Sequence, residues 1–280
     1  MDHAIGKTSR ISFRRHSVLV RVTHWVNVLC LTVLLMSGLQ IFNAHPALYW
    51  GNISNFDDPV LRMGAARRSD GTMFGVTEVF DRSFVTTGVL GVSKVSDDRY
   101  ATRGFPSWAT LPSYQDLATG RRWHFFFAWV FVINGVLYLG YSLLSGHWRQ
   151  LVPTGRQLRG VGHEAKQHLL LRFPKGEAAK SYNVLQKLAY FGVVVVLIPV
   201  LILAGLTMSP ALNAKFPFLV YLFGGRQSAR TVHFVAAALL LAFVFVHVLM
   251  VLLSGFWNNM RSMVTGKYRI DVEGRPHAAE

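Results

Sequence analysis

Four stretches of this chain, 22–41, 123–144, 188–208 and 231–254, run without a single Asp, Glu, Lys or Arg. A hydrocarbon core of about 30 Å takes roughly 20 apolar residues of helix to cross. The pattern therefore predicts an all-α integral membrane protein, a four-helix transmembrane bundle read as one membrane domain over 1–280. Between helices 1 and 2 lies a long polar segment, 42–120, and between helices 2 and 3 a basic loop, 145–187.

The segment 42–120 is far longer than an ordinary connection and is read as a periplasmic insertion. Its patterning is too weak to assign strands. Trp50, Phe56, Phe74, Phe80, Phe84, Tyr100, Phe105 and Trp108 give it enough aromatic surface to fold against a membrane or a partner. The run Pro112-Ser113-Tyr114-Gln115-Asp116 has the form of a capped helix start, so helix 2 is expected to begin before the membrane does. Helix 3 carries Pro199 near its middle, which kinks a membrane helix without breaking it.

Composition agrees with the bilayer as solvent, since 51% of residues are hydrophobic and 15% charged. The net charge of +15 does not indicate nucleic acid, because the basic residues sort by loop instead of forming a stripe among aromatics. With the N-terminus inside, the inner segments hold 17 Lys and Arg against 6 acids, and the outer segments 12 against 8. That bias places both termini in the cytoplasm of a bacterial inner membrane, with the basic loop beside anionic lipid. The first apolar stretch is long enough to be retained as a spanning helix instead of being cleaved as a signal peptide. Cys30 is the single cysteine, which excludes an intrachain disulfide and a CxxCH haem attachment; its expected role is packing.

Of eleven histidines, four lie inside the apolar spans: His24, His124, His233 and His247. One alone would serve as well as a hydrogen-bonded interior residue. Four need a cause, because ionisable groups at membrane depth are costly. His233 and His247 are fourteen residues apart on helix 4, which returns them to nearly one face with a rise of about 21 Å. Chain direction then sets the partners. His24 near the inner end of helix 1 pairs with His247, and His124 near the outer end of helix 2 pairs with His233. Two bis-histidine haems, one near each membrane face, form an electron wire. Arg121, Arg122, Arg226 and Arg230 lie at the outer face, where haem propionates would accept their hydrogen bonds. Gly38, Gly135, Gly140, Gly192 and Gly205 serve helix packing or the approach of a flat macrocycle.

The segments Arg21-Val-Thr-His24-Trp, Arg121-Arg-Trp-His124-Phe and Thr231-Val-His233 followed by His247 resemble the bacterial di-haem cytochrome b family. These are the membrane subunits of nickel-iron hydrogenases, formate dehydrogenase-N and thiosulfate reductases. The resemblance implies two haem b groups held by the same four histidines. Gly120-Arg-Arg-Trp-His-Phe, the run from Leu222 to Arg230 and Gly255-Phe-Trp-Asn-Asn-Met-Arg look most like the thiosulfate-reductase-type branch. That likeness implies a periplasmic molybdopterin oxidoreductase, or another periplasmic redox protein, as partner. The length of 42–120 departs from the hydrogenase and formate dehydrogenase pattern. The family keeps its quinone, menaquinone or ubiquinone, beside the cytoplasmic haem. Asn27, one turn from His24, and His147, Tyr182 and Asn183 at the inner ends of helices 2 and 3 are the polar groups expected there.

The leading function is thus an electron-transfer subunit between the quinone pool and a periplasmic redox enzyme. An alternative is a self-sufficient oxidoreductase that exchanges electrons between quinone and a small oxidant such as superoxide. A transporter would need a polar route, and beyond the four histidines the spans offer Asn27, Gln40, Asn134 and some hydroxyls.

Overall fold

The computed structural model describes residues 8–96, 99–170 and 183–273. The fold is mostly helical. Its helices are α1 (Val18–Phe42), α2 (Leu117–Leu144), α3 (Trp148–Leu151), α4 (Gly155–Arg159), α5 (Val161–Leu169), α6 (Val184–Phe191), α7 (Ile198–Thr207), α8 (Pro210–Lys215), α9 (Phe218–Leu222), α10 (Arg226–Leu253) and α11 (Phe256–Thr265). A π-helical segment, Gly192–Leu197, joins α6 to α7. The strands are β1 (Thr8–Arg14), β2 (Ala47–Leu48), β3 (Leu61–Arg67), β4 (Met73–Val79), β5 (Arg82–Val85), β6 (Gly91–Ser96), β7 (Arg99–Arg103) and β8 (Lys267–Glu273).

Four helical stretches are long and apolar enough to cross a membrane: Val18–Phe42, Leu117–Leu144, Val184–Thr207 and Arg226–Leu253. Each starts a turn or more before the uncharged stretch seen in the sequence, because a helix continues into the polar headgroup region where its first N–H groups find partners. At the start of α2 the carboxylate of Asp116 accepts from the Thr119 N–H at 3.1 Å, which fulfils the expected cap. In the third span the π-helical segment immediately precedes Pro199. Proline has no N–H and its ring crowds the carbonyl four residues back, that of Val195, so the wider turn there relieves the clash.

The chain divides into two compact units, and the boundaries fall inside the long helices. The first comprises Val26–Asn134 and Leu197–Leu240. Here the purely helical expectation needs correction, because the segment after α1 folds as a four-stranded sheet of order β2-β3-β4-β5 and a hairpin β6-β7. Phe42, Leu48 and Met63 form its core, with Leu61, Phe105 and Phe234 packed against them. A buried arginine, Arg103, closes the segment. Its guanidinium donates to the carbonyls of Phe105 at 2.7 Å and Ser113 at 3.0 Å and to the Thr110 hydroxyl at 2.9 Å. Burial lowers the pKa of this guanidinium from its ordinary value, and those acceptors keep the charge satisfied. Asn43, just past α1, bonds both the N–H and the carbonyl of Phe105.

The loop after β2 is pinned to the first turn of α10. The Gly51 carbonyl accepts from the N–H groups of Gln227 at 3.0 Å and Ser228 at 3.2 Å. The Gly51 N–H donates to the Ser228 hydroxyl at 2.8 Å. Gly225 has φ 123°, and a Cβ there would lie 2.3 Å from the Gly51 oxygen, so only glycine allows this approach.

The second unit comprises Met1–Trp25, Gly135–Val196 and Leu241–Glu280. Its described residues include the antiparallel ribbon β1-β8, helices α3 to α6 and α11. Thr154 and Asn183 open α4 and α6 with capping boxes closed by Gln157 and Gln186, so Asn183 is occupied as a cap. The Arg21 guanidinium donates to the carbonyl of Val264, and Trp25 Nε1 donates to that of Met263 at 3.1 Å, fastening α11 to the start of α1.

Candidate functional site

Within the first unit, α2 presents His124 and α10 presents His233, with ring centres 6.2 Å apart. Within the second, α1 presents His24 and α10 presents His247, with ring centres 6.4 Å apart. The pairing expected from chain direction is the pairing found. Two metal–nitrogen bonds of about 2.0–2.1 Å in line, plus about 1.1 Å from each nitrogen to its ring centre, place the rings of a bis-imidazole iron about 6.3 Å apart. Both pairs meet that spacing. Among the described residues no group of three or more His, Cys, Asp and Glu gathers as a metal cage. A two-ligand arrangement suits an iron whose remaining positions are filled by a macrocycle.

The surroundings of His124 and His233 point each ring. His233 Nδ1 lies 2.8 Å from the carbonyl oxygen of Leu201 in α7, and a carbonyl can only accept, so Nδ1 carries the hydrogen and Nε2 keeps its lone pair for a metal. His124 Nδ1 lies 3.2 Å from Ser37 Oγ. The Ser37 hydroxyl donates to the Val33 carbonyl at 2.6 Å, which leaves its lone pairs to accept from His124. Two glycines give these rings room. A Cβ on Gly205 would lie 3.1 Å from His233 Cε1 and 3.2 Å from Nδ1, and one on Gly38 would lie 3.3 Å from His124 Cε1. Gly135, Gly140 and Gly192 would meet nothing within 4 Å.

The other pair is held differently. His24 lies edge-on to Trp25 at 5.4 Å and 89°, and His247 stacks on Phe243 at 5.9 Å and 22°. His24 Nδ1 is buried without a hydrogen-bond partner. His16, in the turn before α1, is held down to about 4, by burial first and then by Arg15, His147, His24 and Arg21, so its imidazole is neutral near pH 7. Burial lowers His147 too, and its ring lies 6.4 Å from that of Tyr141.

The remaining expected site residues divide. Arg230 donates to the His45 carbonyl, and its guanidinium lies 5.5 Å over the Phe42 ring. Arg226 is exposed and donates to the Met208 carbonyl at 3.1 Å. Arg121 lies 5.5 Å over the Phe125 ring, and Arg122 is exposed. Asn27 accepts from Asn134 Nδ2 at 2.7 Å, a bond between α1 and α2. Tyr182 lies outside the described residues. Sequence reasoning missed Ser37 and the Leu201 carbonyl, which orient the His124 and His233 rings, and His45, whose Nε2 is buried without a partner.

The profile of the prokaryotic cytochrome b561 family matches residues 15–266, which includes all four histidines. The chain belongs to the prokaryotic cytochrome b561 family. A relative is the putative protein-methionine-sulfoxide reductase subunit YedZ1 of Azospira oryzae, 29% identical over 243 residues, covering 85% of this chain and 90% of that protein. No solved structure gives a significant match. Membership makes this cytochrome b561 a multi-pass membrane protein of the haem b class. The structure supplies two histidine pairs whose spacing fits that group, with ring orientation and glycine clearance added at His124 and His233.

Proposed function

We propose that this chain carries electrons between the quinone pool and a periplasmic molybdopterin oxidoreductase through two b haems, held by His24 with His247 and by His124 with His233. The observation that carries the reading is the pair of ring separations, 6.4 and 6.2 Å, each suited to one iron between two imidazoles. When bound, such a haem accepts and gives one electron at a time. The protein's part is to fix the imidazoles, exclude water and offer a docking surface at each end.

At the quinone end, His16, which feels the charges of His24 and His147, and His147 itself are the groups proposed to hydrogen-bond a quinone oxygen beside His24 and His247. Asn27 accepts from Asn134 through its Oδ1, which leaves only its Nδ2 to donate to a quinone oxygen. At the other end, loop 50–58 exposes Trp50, Ile53 and Phe56 at 57, 76 and 64% beside Asp57 and Asp58. An apolar centre with an acidic edge suits a partner carrying an apolar patch with a basic rim. The loop is pinned to α10 about a turn and a half before His233. The relative from Azospira oryzae, whose name makes it a subunit of a protein-methionine-sulfoxide reductase, supports a partner of the same general kind.

The test uses the purified chain in lipid nanodiscs. Adding a short-chain menaquinol is expected to reduce the haem bands, and the co-expressed periplasmic partner to reoxidise them. Trp50→Ser with Ile53→Ser is expected to leave quinol reduction intact and to slow reoxidation about tenfold, as loss of an interface anchor does. Haem bands that stay oxidised with quinol would overturn this reading, and bands that superoxide turns over equally fast without the partner would replace it with the self-sufficient one.

A further inference from the structure

The ribbon β1-β8 has two unlike faces. Ile11 pairs with Ile270 and Phe13 with Tyr268 on one, while Ser12 pairs with Arg269 and Arg14 with Lys267 on the other. Arg14 and Lys267 are like charges directly opposite each other, an arrangement that destabilises an antiparallel pair unless an anion lies between them. Among the described residues no carboxylate pairs with Arg14, Lys267 or Arg269, and all three are exposed. Ser12, Phe13, Arg14, Thr265 and Lys267 line a cleft of about 280 Å³ here.

The place of this cleft says which anion. Helix α11 starts three residues after α10 ends, turned off by Gly255 at φ 112°, so it leaves the spanning helix at the level of the headgroups. Trp257 on α11 is 79% exposed and Val264 59% exposed. Asn258 ties α11 to β8, its side chain accepting from the Arg269 N–H at 3.0 Å and donating to the Arg269 carbonyl at 2.7 Å. Arg21 and Trp25 tie the end of α11 to the start of α1. A short helix with an exposed tryptophan, fixed to two spanning helices and bearing a basic ribbon, has the composition of an interfacial anchor.

We propose that Arg14 and Lys267, with Ser12 and Arg269 beside them, bind the phosphate of an anionic phospholipid while Trp257 enters the acyl boundary. The lipid supplies the counter-charge that the opposed Arg14 and Lys267 lack, since the acidic residues of this face, Asp271 and Glu273, stand opposite Arg10 and Thr8 further along the ribbon. The surface is independent of the proposed electron-transfer function and stands or falls without it.

The experiment is native mass spectrometry of the detergent-purified full chain titrated with phosphatidylglycerol or phosphatidylcholine, with inorganic phosphate as competitor. The expected result is a preference for phosphatidylglycerol that falls about fivefold for each cation removed in Arg14→Gln and Lys267→Gln, with phosphatidylcholine binding unchanged. Lys267→Glu places a carboxylate opposite Arg14, so it is expected to fold as well as the parent and to lose the preference. Phosphatidylglycerol binding that is equal in all variants would overturn the proposal. Displacement of the lipid by inorganic phosphate at comparable concentration would overturn it too, by making the ribbon a site for free anions.

Discussion

The pair His124 and His233 and the pair His24 and His247 share nearly one ring separation but are held by different forces. The first is oriented by hydrogen bonds from Nδ1, to Ser37 Oγ and the Leu201 carbonyl, and fits where Gly38 and Gly205 leave room. The second leans on aromatic neighbours, Trp25 and Phe243. A hydrogen-bonded imidazole has a fixed tautomer and greater basicity, which favours the ferric ion and lowers the potential. Were each pair to hold a haem, as proposed, the two sites would differ in ligand strength without different ligand residues, and a potential difference would follow from the neighbours alone.

The largest effect expected is loss of a whole site. His233→Ala or His124→Ala is expected to remove one haem and leave the other's spectrum unchanged, and His24→Ala or His247→Ala the reverse, read by low-temperature absorption. Next comes Gly205→Ala. A methyl group 3.1 Å from the His233 ring must displace it by a few tenths of an ångström and strain its bond to the Leu201 carbonyl, at a cost of about 1–3 kcal/mol. Haem titration is expected to show weakening of about tenfold or more at that site alone, whereas Gly135→Ala and Gly140→Ala, with nothing within 4 Å, leave both sites as they are.

Ser37→Ala removes the hydroxyl acceptor of His124 Nδ1 and leaves the ring the Leu34 carbonyl alone. Its expected effect is about tenfold in haem affinity, the lower end for an outer-shell partner, with a rise in the midpoint potential of the same haem. The smallest change is Asn27→Ala. It removes one bond between α1 and α2, with an expected cost of about 0.6 kcal/mol in detergent unfolding and both haems retained. A change in quinol kinetics from this variant without a change in stability would return Asn27 to the quinone site.

The four spans and the histidine pairs were legible because a bilayer demands long uncharged runs and because helix geometry converts a spacing of fourteen into one face. The insertion was not. Its strands are short, and β5 is exposed throughout, so no alternation of apolar and polar residues marks it. Two bonds that close the insertion, from Arg103 to Gln40 and from Asn43 to Phe105, join residues far apart in sequence. Gly205 and Gly38 carry no mark that separates them from Gly135 and Gly140, since the distinction is what lies across from each. Helix 3, which has no histidine, gave no sequence sign of a ligand role and acts through a backbone carbonyl at Leu201.

The central claim is that each histidine pair holds one haem. A pyridine haemochrome assay on the purified wild-type chain, with protein measured by amino-acid analysis, tests it most directly. The account predicts two b haems per chain, and a value of one or none in intact, folded protein would contradict it.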